Sequence, residues 1–236
     1  MVALCFAAVH VLGPAMTFLH RTPRSMWLSF AGGISVAYVF VHVLPELSRF
    51  QEDFARELAA KGGPLAGLES HSYLLALIGL AVFYGLHRLA RSRRKGAPGK
   101  PGNGVFTIRI ASYAVYSVMI GYLLLHRDEH GLRPLAIYAA AMGLHFVVND
   151  QGLREDHGEA YDRIGRWILA AAPLLGWGMA LVYTLPPLAI AALFAFLMGG
   201  VVLNVLKEEL PDERESRFSA FAGGAAFYAV LLLASA

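Results

Sequence analysis

Long, continuous apolar segments recur along this chain and restrict its fold more than any other feature of the sequence. Of its 236 residues, 57% are hydrophobic and 16% are charged, whereas a soluble domain has about 25% charged residues. A membrane-spanning helix needs about 20 apolar residues, and a β-barrel would show short alternating strands instead. We therefore predict an all-α polytopic membrane protein, a single transmembrane domain over 1–236 with eight transmembrane helices. The predicted spans are 1–19, 26–47, 72–90, 106–126, 134–153, 164–184, 186–208 and 217–236.

Basic residues in alternate loops predict how these spans are oriented. The loops that concentrate Lys and Arg are 20–25, 91–105, 154–163 and 207–217. The positive-inside rule places such loops in the cytoplasm, so we expect both termini outside, and 91–105 to be a flexible, basic cytoplasmic loop. An integral protein of a bacterial inner (plasma) membrane fits this layout. The net charge of +3 then reports topology, and we expect the lipid bilayer, not nucleic acid, as partner.

Two of the predicted spans carry the same phrase. Gly-Gly at 32–33 leads to Leu-Pro-Glu at 44–46, and Gly-Gly at 199–200 leads to Leu-Pro-Asp at 210–212. The second glycine precedes the proline by 12 residues in the first copy and by 11 in the second. Because the second span runs outward and the seventh inward, the phrase predicts an inverted repeat, helices 1–3 against 6–8, as in secondary transporters. A glycine pair alone indicates only close helix packing.

Ionisable groups inside a span are costly, about 2.5–3.5 kcal/mol at the bilayer centre, so each is a functional candidate. In the fifth span His145 is followed by Asn149 at i+4 and Asp150 at i+5. An imidazole, an amide oxygen and a carboxylate within two turns can coordinate a divalent metal or relay a proton. The alternative is a His145 that hydrogen-bonds a neighbouring helix, with Asp150 paired to Arg154. His10, alone in the first span, is interpreted as a buried core histidine.

The ends of the second and seventh spans carry further candidate ligands. His42 and Glu46 lie at i and i+4 near the outer end, where they could receive a cation or simply end the helix as an interfacial pair. Glu208 and Glu209 lie at the cytoplasmic end of the seventh span, where they could release it. The alternative there is an ordinary interface at which Lys207 reaches water.

Motifs of soluble enzymes are absent from the sequence. It contains no G-x-x-x-x-G-K-[ST] and no H-E-x-x-H, so neither ATP-driven transport by this chain alone nor an intramembrane zinc protease is supported. The single cysteine, Cys5, excludes an internal disulfide. We therefore expect a protein that is not an enzyme and holds no resident cofactor.

The phrase of the second span, Gly-Gly-x-x-x-Ala-x-x-x-x-His-x-Leu-Pro-Glu over 32–46, resembles the second helix of the ZIP (Zrt/Irt-like) metal transporters. The segment 199–211 likewise resembles their seventh helix. The layout is also similar, with eight spans, both termini outside and a cytoplasmic loop between spans three and four. This resemblance implies a homodimeric transporter that moves a divalent cation (zinc, iron or manganese) towards the cytoplasm by alternating access.

The resemblance does not extend to the family's metal site. Where the fourth helix of the family has His-Asn-x-Pro-Glu-Gly, the most similar stretch here, 116–121, reads Tyr-Ser-Val-Met-Ile-Gly. In the fifth span, Asn-Asp at 149–150 stands where a ligand pair is expected, but Gly-Leu at 152–153 replaces the following Pro-Glu. We therefore expect a site rebuilt from His145, Asn149 and Asp150. The alternatives are a non-transporting binding or regulatory protein on the same scaffold, and a proton-coupled carrier of a small organic solute.

Overall fold

The computed structural model describes residues 1–16, 26–61, 71–95, 103–126, 131–209 and 217–234. Within these ranges the chain is helical and contains no strand, which confirms the all-α prediction. Loop residues 20–25, 96–102 and 210–216 lie outside the described ranges. Helix extends through Lys95 and resumes at Asn103, so both ends of the predicted 91–105 loop are helical.

Nine α-helices are present in the described ranges, with three π-helical segments and one short 3-10 turn. The α-helices are α1 Val2–Leu12, α2 Met26–Tyr38, α3 Leu44–Lys61, α4 His71–Lys95, α5 Asn103–Leu123, α6 Leu132–His157, α7 Arg166–Val182, α8 Pro187–Asn204 and α9 Phe218–Leu233. The 3-10 turn Gly13–Ala15 follows α1, and the π-helical segments are Val39–Val43, Tyr161–Gly165 and Val205–Glu209. The first π-helical segment joins α2 to α3, the second precedes α7, and the third follows α8.

Six of the described helical stretches are long and apolar enough to cross a membrane, and they match the second to seventh predicted spans. They are Met26–Glu52, Ser72–Leu89, Gly104–Leu123, Leu132–His157, Tyr161–Val182 and Pro187–Lys207. Apolar side chains such as Leu77, Val115 and Leu181 are exposed on their surfaces. This pattern indicates an integral membrane protein surrounded by lipid.

The helices at the two ends of the chain are shorter. α1 has 11 residues and α9 has 16, which at 1.5 Å per residue gives about 16 and about 24 Å. The hydrocarbon core of a bilayer is about 30 Å thick. The count of eight spans therefore stays a prediction.

The second predicted span continues beyond its expected end at residue 47. Pro45 lacks an N–H, and its ring would clash with the carbonyl group four residues earlier in a regular α-helix. That carbonyl belongs to Val41, which lies inside the π-helical segment Val39–Val43. The wider π-helical turn changes the spacing there, so the chain passes the proline and continues as α3 to Lys61.

Four glycines set the packing of two helix pairs, α2 with α9 and α4 with α8. A Cβ atom at any of these glycines would overlap a backbone carbonyl oxygen of the facing helix, so only glycine permits such close approach. The contacts are Gly33 with Phe221, Gly224 with Phe30, Gly199 with Ala76, and Gly79 with Phe196. A third pair, α5 with α7, is joined in the same way through Gly121 and Gly176.

All three crossings share one spacing. In each of the six helices, the contacting glycine lies three residues after the residue whose carbonyl oxygen meets the partner's glycine. What the first two crossings share beyond this is the sequence that follows Gly33 and Gly199. The π-helical segments Val39–Val43 and Val205–Glu209 span the sixth to tenth residues after Gly33 and Gly199. A proline stands twelve residues after each of these two glycines. When Gly33 is matched with Gly199 on the basis of these contacts, the distance from glycine to proline is the same in both copies of the phrase.

Candidate functional site

α6 carries a series of polar side chains into the interior of the bundle. His145, Asn149 and Asp150 are all buried, each with no more than 3% of its surface exposed. α6 packs against α1 and α2. Pro134 lies in the first turn of α6, where its missing N–H removes no hydrogen bond within the helix. The helix is therefore unbroken through the region where the sequence predicts the site.

His145 is hydrogen-bonded to two groups through a single ring atom. Its Nε2 lies 2.9 Å from the hydroxyl oxygen of Tyr116 on α5 and 3.0 Å from Nδ2 of Asn149. Nε2 has a single in-plane bonding position, so the tautomer of the ring and the orientation of the amide decide which of these groups donates. The contact of His145 with a neighbouring helix, given above as the alternative to a ligand role, is present, and its partner is Tyr116.

Asp150 is paired with a residue from the other end of the sequence. Nδ1 of His10, on α1, lies 2.9 Å from Oδ1 and 2.8 Å from Oδ2 of the carboxylate. Both side chains are buried. The alternative prediction that Asp150 pairs with Arg154 is wrong, because the Arg154 guanidinium binds Asp162 through Nε at 2.8 Å and Nη2 at 3.0 Å. His10 is buried as predicted, but it is not alone.

The association of His10 with Asp150 is the main feature that sequence reasoning missed. The two residues are 140 positions apart, so no local spacing joins them. One signal was available: a buried imidazole in the middle of an apolar span needs a polar partner. Asp150 is the carboxylate nearest mid-depth in the predicted spans, which makes it the natural candidate.

The three predicted ligands on α6 therefore have different surroundings. His145 and Asn149 contact each other and Tyr116, whereas Asp150 faces His10. Among the described residues, no group of three or more His, Cys, Asp or Glu side chains converges closely enough to hold a metal ion. Tyr116 and Asn149 are further possible donors that such a group of four residue types does not include. The predicted metal site therefore stays a prediction.

His42 and Glu46 line a cleft between α3, α5, α6 and α8 whose cavity volume is about 50 Å³. Glu46 is buried and forms an ion pair with Arg49, while the His42 ring stacks on Tyr38 with centroids 5.2 Å apart. His126 lines the same cleft. The remaining walls are aromatic or aliphatic and include Phe50, Tyr138, Phe194, Leu123 and Ile190.

The cleft ends one helical turn away from the buried polar groups. Ile120 and Met142 contribute to its lining. Tyr116 lies four residues before Ile120 on α5, and His145 three residues after Met142 on α6, about 5 Å further along each axis. An apolar layer therefore separates the cleft from His145 and the groups beyond it.

A second, smaller cavity lies on the far side of this apolar layer, next to Asp150. Its lining includes Gly13, Met16, Gln151, Arg154 and Tyr161. Asp150 and Arg154 face this cavity, whereas His42 and Glu46 face the cleft. The polar face of α6 thus extends from one turn below the cleft to this second cavity.

The predicted exit at the end of α8 is described only in part. Glu208 and Glu209 fall within the π-helical segment Val205–Glu209, but their side chains lie outside what the structure describes. Nearby, the His87 ring accepts a hydrogen bond from Lys207 at Nδ1 (3.1 Å) and donates one from Nε2 to Oδ1 of Asn204 (3.3 Å). These bonds tie α4 to the end of α8.

Comparison of the chain with models of protein families, with curated proteins and with solved structures finds no match.

Proposed function

We propose that this protein is a ZIP-like transporter of a divalent metal cation, zinc, iron or manganese, that works by alternating access. The observation that carries the proposal is the buried polar face of α6, which begins one turn below an open cleft and ends beside a second cavity. Buried polar groups in a membrane protein are expensive and typically mark an ion pathway. No enzymatic activity is proposed.

The inverted repeat, helices 1–3 against 6–8, is the second part of the proposal. It is supported by the equal spacing around Gly33 and Gly199 and by the paired crossings that these glycines make with α9 and α4. In this scheme α2 corresponds to α8, and α4 corresponds to α9. Repeats related in this way provide two arrangements of one bundle, which is the basis of alternating access.

The eight-span topology follows from the same scheme. α9 is bound to α2 along the crossing of Gly33 with Gly224, and α1 packs against α6 and α7. We propose that both short helices cross the bilayer as the first and eighth spans, with both termini outside a bacterial inner membrane. A homodimer is the assembly that the resemblance to ZIP transporters implies.

The proposed route runs along the axis of the bundle. His42 and Glu46 receive the cation in the cleft, His145, Asn149 and Asp150 bind it, and Glu208 and Glu209 release it. In the present conformation Ile120 and Met142 line the cleft one turn before the buried polar groups, and in this scheme they form its floor. The cation passes when this floor parts and the opposite end opens, so that the site is never open to both sides at once.

Uptake into proteoliposomes tests the proposal. The purified chain is reconstituted, and the initial rates of uptake of radioactive zinc, iron and manganese are compared with those of protein-free vesicles. We expect at least one ion to enter faster with the protein present. Rates equal to those of empty vesicles for all three ions would refute metal transport and favour a non-transporting binding or regulatory protein.

A second candidate, a proton-coupled carrier of a small organic solute, is favoured by the lining of the cleft. Its walls are mostly apolar with a few polar groups such as His42 and Glu46, which is the composition of small-molecule sites. Aromatic rings of Tyr38, Phe50, Tyr138 and Phe194 line it. A pH-sensitive dye inside the vesicles separates the candidates, because solute-driven acidification without metal uptake would support the carrier.

A further inference from the structure

We infer that His10 of α1 is a ligand of the transported cation, which binds on the seam between α1 and α6 together with Asp150 and the hydroxyl group of Tyr161. This inference rests on the proposed function and names the place where the ion is held. It adds two residues, His10 and Tyr161, that the sequence did not assign to the site. It also separates the position of Asp150 from that of His145.

The geometry of the pair suits a shared ion. Nδ1 of His10 lies 2.9 and 2.8 Å from the two carboxylate oxygens of Asp150, so both oxygens face the same nitrogen. Zinc binds histidine nitrogen and carboxylate oxygen at about 2.0–2.2 Å in tetrahedral geometry, which places neighbouring ligand atoms about 3.3–3.6 Å apart. The two side chains therefore need to separate by roughly half an ångström to hold an ion.

A third donor and free space lie next to the pair. Oδ2 of Asp150 and the hydroxyl oxygen of Tyr161 lie 3.6 and 3.9 Å from the position that a Cβ atom of Gly13 would occupy. The Tyr161 hydroxyl is buried and interacts with the Asp150 carboxylate, although its geometry falls short of a regular hydrogen bond with any described group. Both side chains line the smaller cavity, whose volume of about 10 Å³ is close to that of a single water-sized probe. Gly13 leaves this space open because it has no side chain.

Two short elements bring these donors next to α6. The 3-10 turn Gly13–Ala15 follows α1 and approaches α6, and the π-helical segment Tyr161–Gly165 also contacts α6. Nε2 of His10 is likewise buried without a hydrogen-bond partner among the described residues. α1 and the π-helical segment Tyr161–Gly165 thus each bring one incompletely bonded polar group close to Asp150, where unmatched groups would otherwise be costly.

The chemistry of the donors defines the class of ligand. One imidazole nitrogen, two carboxylate oxygens and one phenol oxygen form a mixed nitrogen and oxygen set, which suits first-row divalent metals such as zinc, iron or manganese. A ligating nitrogen offers its lone pair to the ion, so a cation bound at this place replaces the direct contact between Nδ1 of His10 and the Asp150 carboxylate.

Direct binding measurements on the full chain in nanodiscs test this assignment. Zn²⁺ and Mn²⁺ are each titrated alone by equilibrium dialysis, with wild type, His10→Asn, His10→Cys and His157→Ala compared. His10→Asn keeps a hydrogen-bond donor for Asp150 but removes the ligating nitrogen, so we expect the Kd to rise by at least about 10-fold, the lower effect seen for groups around a metal. His10→Cys restores a metal ligand and should recover Zn²⁺ binding.

The matched control is His157→Ala, which removes a half-buried histidine that packs on Phe106 at the end of α6 and should leave the Kd unchanged. Pulsed electron paramagnetic resonance of bound Mn²⁺ gives an independent readout, because coordinated imidazole nitrogen should be seen in wild type and lost in His10→Asn. Wild-type binding by a folded His10→Asn variant would overturn this inference and leave metal transport standing. A wild-type chain that binds neither ion would contradict this inference, and if it also took up none of zinc, iron and manganese it would contradict the proposed function.

Discussion

The imidazole of His10 and the carboxylate of Asp150 lie within 2.9 Å of each other, although 140 positions separate them in the sequence. Their contact joins the first helix of the chain to α6 and fixes the depth at which α6 presents its polar face. It also divides the predicted ligands into two places, because His145 binds Tyr116 instead. The path proposed for a cation therefore has an upper position near the cleft and a lower one beside the smaller cavity.

The glycine crossings predict a sharp contrast between neighbouring residues. A Cβ atom at Gly224 would collide with the Phe30 carbonyl oxygen, whereas one at Gly223 meets nothing within 4 Å. Gly224→Ala should therefore destabilise the protein by about 1–3 kcal/mol, as overpacking does, and lower its melting temperature in detergent. Gly223→Ala is the matched control and should melt like wild type.

The same experiment tests the proposed repeat. If α2 and α8 are equivalent, Gly33→Ala and Gly199→Ala should lower the melting temperature by similar amounts, because each meets backbone atoms of its partner helix. A large loss in one variant with none in the other would argue that the two crossings do not play equivalent structural parts.

Cysteine labelling tests the cleft and the proposed orientation together. In a Cys5→Ser background, His42→Cys should react with a membrane-impermeant maleimide added outside intact cells, because His42 lines the open cleft. Tyr116→Cys, fully buried below the apolar floor, should react only after denaturation. Lys207 is exposed, and a cysteine in its place should react only once the cells are permeabilised. If position 207 reacts in intact cells and position 42 does not, the proposed topology is inverted.

Tyr116→Phe tests the part that the upper position plays. The variant keeps the aromatic ring, which packs edge-on against Phe83, but removes a hydrogen bond to Nε2 of His145. We expect a loss of about 0.5–1.5 kcal/mol in stability, typical of one hydrogen bond, and a several-fold slower uptake of the metal ion. An unchanged uptake rate in a correctly folded variant would remove Tyr116 from the route.

The sequence predicted the features that depend on local composition and on spacing along one helix. Six of the eight predicted spans correspond to membrane-length helices, because runs of apolar residues determine them directly. The burial of His145, Asn149 and Asp150 also followed from their place inside such a run. Glycine pairs pointed to close packing, and Gly33 and Gly199 do meet facing backbones.

Features that depend on which helices are neighbours were not predictable in this way. The partner of Asp150 is decided by the packing of α1 against α6, and Arg154 was the only candidate within one turn of the same helix. The continuation of the helix past Pro45 depends on a π-helical segment that no residue pattern announces. The equivalence of Gly33 with Gly199, instead of Gly200, became visible only through their contacts on α9 and α4.

Metal uptake by matched variants in proteoliposomes is the most direct test of transport along α6. Asp150→Asn removes the buried carboxylate and His145→Ala the buried imidazole, whereas His157→Ala removes a histidine outside the route. We predict that the initial rate of zinc, iron or manganese uptake falls at least about 10-fold, the loss expected for groups that set metal affinity, in the first two variants and stays at the wild-type value in the third. Wild-type uptake by both Asp150→Asn and His145→Ala would contradict a route through these residues.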